Sequence, residues 1–222
     1  MKDNHQRPSV TVDIVIFSIR EDELQVLLVR RDIDPFKEKW ALPGGFVKIE
    51  ENLEEAATRE LREETGVKDV YLEQLYTFGD VKRDPRERVI TIAYMALINS
   101  ENIKVEGKTD VSDARWFAIK KLPLLAFDHK KIIEYSLKRL MWKFEYTSVA
   151  FSLLPKEFTI SKVQKIYEIV FDKIFDKRNF AKKLLSLNVL EEKGIKKDVS
   201  HRPPMLYSIK KNIPKIIEIL KV

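Results

Sequence analysis

The chain opens with two apolar runs that suit strands, VTVDIVIFSI from Val10 to Ile19 and QVLLVRR from Gln25 to Arg31, on either side of the polar REDEL. Short apolar runs around a polar break predict a β-hairpin. WALPGGF follows, then ENLEEAATRELREETG, in which Leu53, Ala57 and Leu61 recur at four-residue spacing. That spacing lays one apolar row along one face of a helix. Asn52, with Glu55 three residues on, has the form of a capping box, and Gly66 is placed to end the helix, which is predicted over Leu53 to Thr65. YLEQLYTF, RVITIAYMALI and DARWFAI read as further strands. Strands on both sides of one strong helix predict an α+β or α/β/α layered domain.

From Phe127 onward the pattern turns helical. Asp128 can cap HKKIIEYSLKRLMWKF, whose Ile132, Ile133, Leu137, Leu140 and Met141 keep helical spacing. EYTSVAFSLLP reads as a connection. Thr159 or Ser161 can start a helix through VQKIYEIVF, Asp176 can cap a second in KRNFAKKLLSL, and NVLEE and MLYSI can pair as a hairpin around KGIKKDVSHRPP. Helix, helix and basic hairpin is the order of a winged helix-turn-helix. A last short helix is expected to begin at Asn212, with Pro214 in its first turn.

Composition adds little until charge is divided along the chain. With 44% apolar and 34% charged residues among 222, the chain is globular. No apolar run approaches the roughly 18 residues of a membrane span. No signal-peptide core is visible at the N-terminus and there is no cysteine, so a cytoplasmic location and no membrane partner are expected. His5, His129 and His201 are too scattered to suggest a shared metal site. Residues 1 to 140 hold 24 basic against 26 acidic side chains, whereas residues 141 to 222 hold 17 against 9. A basic surplus confined to one region predicts a polyanionic partner for that region alone.

The acidic helix carries Glu60, Glu63 and Glu64 on one face, where like charges repel. A hard divalent cation such as Mg2+ takes oxygen ligands, bridges substrate phosphates and would offset that repulsion. Gly45, then Glu51, then Arg59-Glu60-Leu61-Arg62-Glu63-Glu64-Thr65-Gly66-Val67 resembles the Nudix box at every fixed position. The resemblance implies a Nudix α/β/α sandwich with a mixed sheet and cleavage of a nucleoside diphosphate linked to another moiety. By position it makes Glu60 and Glu64 the main ligands of Mg2+ or Mn2+ and Glu63 a further ligand or water-orienting base. Arg59 and Glu51 become the ion pair that holds loop to helix.

The resemblance extends further. YLEQLYTFGDVKRDPRERVITIAY, ARWFAIKKLPLLAFDHKKII, FSLLPKEFTISKVQKIYE and DKRNFAKKLL are similar to segments of the Nudix-related regulators of NAD metabolism, the NrtR family. This implies an ADP-ribose-sensing Nudix domain over residues 1–145 and a winged-helix domain over 146–222 that binds operator DNA as a homodimer. The effector is then ADP-ribose or a related nucleoside diphosphate sugar, with Gly44, Gly45, Arg83, Arg86 and Arg88 in its site. The intact box favours retained hydrolysis of ADP-ribose to AMP and ribose 5-phosphate. In the second domain Lys177, Arg178 and Asn179 open the candidate recognition helix, Lys182 and Lys183 lie toward the DNA backbone, and Lys193, Lys196, Lys197 and Arg202 form a basic wing. Phe180, Leu184, Leu185 and Leu187 form its inward face. Tyr76 and Phe78 read as core in preference to base-stacking groups. Two alternatives remain open: an ADP-ribose pyrophosphatase whose second domain does not bind DNA, and a sugar-responsive regulator of the same architecture.

Overall fold

The computed structural model describes residues 7–66, 70–99, 111–196, 203–214 and 216–219, with the side chains of Glu64, Thr65, Val111 and Ser112 outside the description. The chain divides into two compact units, one of Met1–Phe17, Gln25–Leu97 and Ile103–Ser136, the other of Ser18–Leu24, Ile98–Asn102 and Leu137–Val222.

The sheet is built on β1 (Ser9–Arg20), which is buried without interruption from Val12 to Ser18. A strand covered on both faces has no need to alternate, which explains the continuous run VDIVIF. β2 (Glu23–Arg31) returns beside it through Glu21 and Asp22, both left-handed at φ 51° and 59°. Two such residues form the tight turn whose twist matches a hairpin. β6 (Val89–Leu97) runs parallel to β1 on its other side, and β5 (Tyr71–Phe78) pairs antiparallel with β6 at the edge. β7 (Val111–Ala118) and the short β3 (Trp40–Ala41) both pair with β2, and β4 (Gly44–Phe46) pairs with β1 over Thr11, Val12 and Asp13. The result is a seven-stranded mixed sheet.

α1 (Leu53–Thr65) has the expected bounds and both halves of the capping box. It buries Ala56, Ala57 and Leu61, and a left-handed Gly66 at φ 70° ends it. α2 (His129–Tyr146) buries Ile132, Ile133, Leu140 and Phe144.

In the second unit, EYTSVAFSLLP is more than a connection. Ser148–Leu153 forms a 3-10 helix that buries Val149, Ala150, Phe151 and Leu153. α3 (Ile160–Phe171) starts at Thr159, whose hydroxyl accepts from the Lys162 N–H, and buries Val163, Ile166, Tyr167 and Val170 at helical spacing. α4 (Lys177–Ser186) starts at Asp176, which accepts from the Asn179 N–H. Gln164 and Glu168 fix the turn between them, donating to the Phe175 carbonyl and accepting from the Phe175 N–H at 2.8 and 3.1 Å. β8 (Leu190–Ile195) and β9 (Met205–Ile209) close a winged helix, and paired backbone bonds between Phe158 and Tyr207 tie the hairpin to the entry of α3. The helix expected from Asn212 does not form among the described residues. Ile216 bridges Thr147 instead, and the Ile217 and Ile219 N–H groups donate to Tyr146 and Glu145 carbonyls. Strand-like pairing satisfies two backbone donors that a single short helical turn would leave open.

Asn52→Ala removes one capping bond while leaving the packed face intact. We expect a loss of about 1 kcal/mol in urea unfolding with an unchanged denaturant slope.

Candidate functional site

A cleft of about 470 Å³ in the first unit is walled by β1 and β4, by α1, by the β5–β6 loop and by the entry of α2. Its acidic end is organised by Arg59. The guanidinium donates to both Glu51 oxygens at 2.8 and 2.6 Å, to Glu60 at 2.6 Å, to Glu63 at 3.3 Å and to the Phe46 carbonyl at 3.2 Å. One planar fork thus ties loop, strand and helix together. The Arg59 hydrogen bonds, helped by the Lys48 N–H, hold the Glu51 carboxyl down at about 2, and Glu51 in turn raises Arg59. Glu60 is pushed up by burial, against the pull of Arg59. Its carboxylate lies so close to Gly45 that a Cβ there would stand 2.2 Å from Oε1. Gly44, at φ 157°, leaves a Cβ only 2.2 Å from the Val12 carbonyl. Both glycines therefore serve close approach to the carboxylates and to β1.

Three carboxylates around one guanidinium make a hard oxygen donor set with surplus negative charge, which fits a divalent cation. Glu60 and Glu63 both line the cleft. Glu64 lies on the same helix, but its side chain is outside the description; among the described residues no three acidic or histidine side chains form a complete cage.

The opposite wall holds a buried charge cluster. Arg83, with 4% of its side chain exposed, donates to Asp13 at 3.1 Å and to both Asp128 oxygens at 2.8 and 3.2 Å. The Asp128 carboxylate is held by Arg83, and its backbone carbonyl accepts from the Lys131 and Ile132 N–H groups at the start of α2. His129 accepts the Leu42 N–H at Nδ1, 2.8 Å away, which leaves its proton on Nε2. Burial holds its pKa down, so the ring is neutral. Arg86 grips Asp84 through two side-chain bonds of 3.0 and 2.8 Å. Burial would raise Asp84, but the Arg86 bonds bring it below its ordinary value.

The cleft therefore brings together Glu60, Glu63, Arg59, Gly44, Gly45, Arg83 and Arg86, with Glu51 behind Arg59. Arg88 is not in its lining. It is exposed at the base of the loop and donates to the Asp80 carbonyl at 3.0 Å. Tyr76 and Phe78 are not core: on the edge strand β5 they form a cluster with Tyr135, and Tyr76 is 55% exposed. Asp13, Phe46, Phe127, Asp128 and His129 complete the site without having been expected there. A lone Asp inside the apolar VTVDIVIF was the one signal available for Asp13.

In the second unit Lys177, Arg178 and Asn179 are exposed on the first turn of α4, Lys182 is exposed, and Lys183 is half-buried. Phe180 and Leu184 anchor the helix, but Leu185 is 47% exposed, since it sits about 100° round from Leu184. Lys196 is exposed beyond β8, and Lys193 pairs with Glu191 at 2.9 Å. Lys197, His201 and Arg202 lie outside the described residues.

The carboxylate cleft and the capped helix pair define a Nudix protein with a winged-helix module. Residues 8–136 match the NUDIX domain model and residues 150–209 the NrtR DNA-binding winged helix domain. The chain is 39% identical to the ADPR responsive transcriptional repressor NtrR of Acinetobacter baylyi, over 93% of this chain and 84% of that one. Shewanella oneidensis NrtR in complex with a 27mer DNA superposes with a TM-score of 0.81 at 35% identity, covering 90% of this chain and 93% of that one. An ADP-ribose pyrophosphatase of Methanocaldococcus jannaschii is 39% identical over 61% of this chain and 75% of its own length. The chain belongs to the NrtR family.

Two measurements probe the site's electrostatics. Arg83→Leu leaves the buried Asp13 and the largely buried Asp128 without their cation, and we expect a loss of about 3–5 kcal/mol in urea unfolding. The Glu51 carboxyl falls from its ordinary 4.5 to about 2 in the folded protein. A depressed carboxyl stabilises the fold above its unfolded value, and that contribution is lost as pH falls through the folded one. Melting temperature followed between pH 4.5 and about 2 should therefore fall less steeply in Glu51→Gln than in the unmodified protein.

Proposed function

We propose that the protein is an ADP-ribose-responsive, DNA-binding repressor of NAD-metabolism genes, acting in the cytoplasm as a homodimer. The observation that carries this reading is the presence in one chain of a diphosphate-sized carboxylate cleft and a winged helix with Lys177, Arg178 and Asn179 exposed on α4. The ADPR-responsive repressor of Acinetobacter supports the effector, and the Shewanella complex with a 27mer DNA supports DNA binding. In this reading α4 enters the major groove, with Lys182 and Lys183 near phosphates and Lys196, Lys197 and Arg202 in the wing. α2 begins at the cleft with His129 and continues into the second unit from Leu137, so cleft and DNA module share one helix.

A second activity is favoured by the intact Glu51–Arg59–Glu60 arrangement and by the Methanocaldococcus relative. In it Glu60, Glu63 and Glu64 would hold Mg2+ or Mn2+, which would supply polarisation of the diphosphate and a lowered pKa for bound water. Arg59 opposes the rise that burial imposes on Glu60, Glu51 holds Arg59 in place, and Arg83 and Arg86 stand on the opposite wall, each bound to carboxylates.

Purified protein incubated with ADP-ribose and Mg2+ is expected to release AMP, resolved by chromatography. Glu64→Gln should lose at least about 100-fold, since even outer partners of metal sites cost 10–100-fold. Binding without AMP would leave a sensor and remove the hydrolase. For the DNA module, Lys177→Ala with Arg178→Ala should weaken gel-shift binding to DNA upstream of the protein's own gene. The loss of two phosphate contacts should lower the salt slope by about 2. Unchanged affinity and slope would exclude α4 as the reading helix.

A further inference from the structure

α2 ends within the second unit at Tyr146, and the last carbonyls of a helix have no partner further along it. Here each of them is taken. The Lys143 carbonyl accepts the N–H and the hydroxyl of Thr147 at 2.9 and 2.6 Å. The Phe144 carbonyl accepts the Tyr167 hydroxyl of α3 at 3.0 Å. The Glu145 and Tyr146 carbonyls accept the N–H groups of Ile219 and Ile217 at 2.9 and 2.8 Å. Those last two donors come from residues 216–219, beyond the hairpin that closes at Ile209 and beyond the stretch that matches the winged helix domain. The helix pair and hairpin are complete without this segment, so its presence calls for a separate reason.

The side chains supply one. Ile216 is 75% exposed, whereas Ile217 and Ile219 are buried. Ile219 forms one wall of a recess of about 270 Å³, and Phe175, with Asn179, Phe180 and Leu184 of α4, form others. α4 has ten residues, of which Phe180 and Leu184 are buried. Phe180 rests on Tyr167 and Phe175, with ring centroids 5.3 and 5.9 Å away. A helix held by two side chains and bordered by a recess has room to tilt, because atoms facing a gap lack partners on that side. Ile219 limits that gap. The recess reaches Asn179, in the turn that also exposes Lys177 and Arg178, so a tilt of α4 would displace all three.

We infer that residues 216–219 are a strap that sets the pose of α4, fastened by its backbone to the end of α2 and pressed by Ile219 against the inner side of α4. Ile219 is then a positioning residue for sequence recognition, and it needs no contact with DNA to act. This rests on the proposed role of α4 as the reading helix. Base edges are read only by side chains held in a fixed pose, whereas phosphates attract any nearby cation. A loosened α4 therefore loses discrimination between sequences before it loses general affinity for DNA.

The test compares gel-shift binding of the full-length protein to DNA upstream of its own gene and to a scrambled duplex of equal length and base composition. Ile219→Ala should weaken the upstream duplex at least about fivefold, the worth of one base contact. It should leave the scrambled duplex within about twofold and the salt slope unchanged, since no phosphate contact is removed. Ile219→Leu, which restores the bulk, should recover the preference, and Ile216→Ala, at the exposed position, should not alter it. If Ile219→Ala does not fold, Ile219→Val takes its place in the same comparison. Equal loss on both duplexes, no loss on either, or an Ile216→Ala effect as large as that of Ile219→Ala would overturn the strap. If the unmodified protein does not prefer the upstream duplex, the reading role of α4 falls, and amide hydrogen exchange then decides the strap. Exchange along α4 should quicken in Ile219→Ala, and an unchanged rate would overturn the strap independently of DNA.

Discussion

Arg83 is buried between two carboxylates that belong to different parts of the fold, Asp13 in the middle of β1 and Asp128 at the entry to α2. Taking three charges out of water is unfavourable unless their geometry is good, and here Arg83 reaches both carboxylates through hydrogen bonds of 3.2 Å or less. The cluster fixes the cleft because one side chain joins β1, the β5–β6 loop and the entry of α2. β1 supplies the floor, the β5–β6 loop supplies Arg83 and Arg86, and α2 supplies Phe127 and His129 just before and at its first turn. Its formal charge, one cation against two anions with a neutral His129 beside them, is negative.

Arg59 solves a similar problem at the other end by a different route. The glutamates of α1 would repel one another if the helix stood alone, and the capping box and Gly66 do not change that. The guanidinium fork meets Glu51, Glu60 and Glu63 together, so the helix becomes stable with an acidic face because the preceding loop folds back over it. Surplus negative charge persists after this neutralisation. Burial raises Glu60 by taking its charge out of water, and a divalent cation would lower it by attraction.

What could be read from the sequence follows the range of the forces involved. The bounds of α1, the starts of α3 and α4 at Thr159 and Asp176, and the β1–β2 hairpin depend on residues within a few positions of one another, and they were legible. The Nudix box was legible because its spacing encodes one loop and one helix. His129, Phe127 and Asp13 were not, since their roles arise from partners up to 87 residues away, such as the Leu42 N–H on His129. Leu185 and Tyr76 were misplaced because periodicity gives a face but not what covers it. The tail after Asn212 read as a helix because Pro214 suits a first turn, yet backbone pairing with Thr147 competes with that local preference and wins.

Under the proposed function, a ligand in the cleft can alter DNA affinity only to the extent that it binds two arrangements of the protein unequally. Two elements pass from the first unit into the second, β1 with Asp13 at the cleft and Ser18 beyond it, and α2 with His129 at the cleft and Leu137 beyond it. Both carry a carboxylate bound by Arg83, one within β1 and one immediately before α2. A ligand that draws Arg83 toward its own negative charge weakens both ion pairs at once. Asp13 is buried and the Asp128 side chain is only 10% exposed, so releasing either from Arg83 is costly. The differential affinity that regulation requires can thus arise at a single side chain.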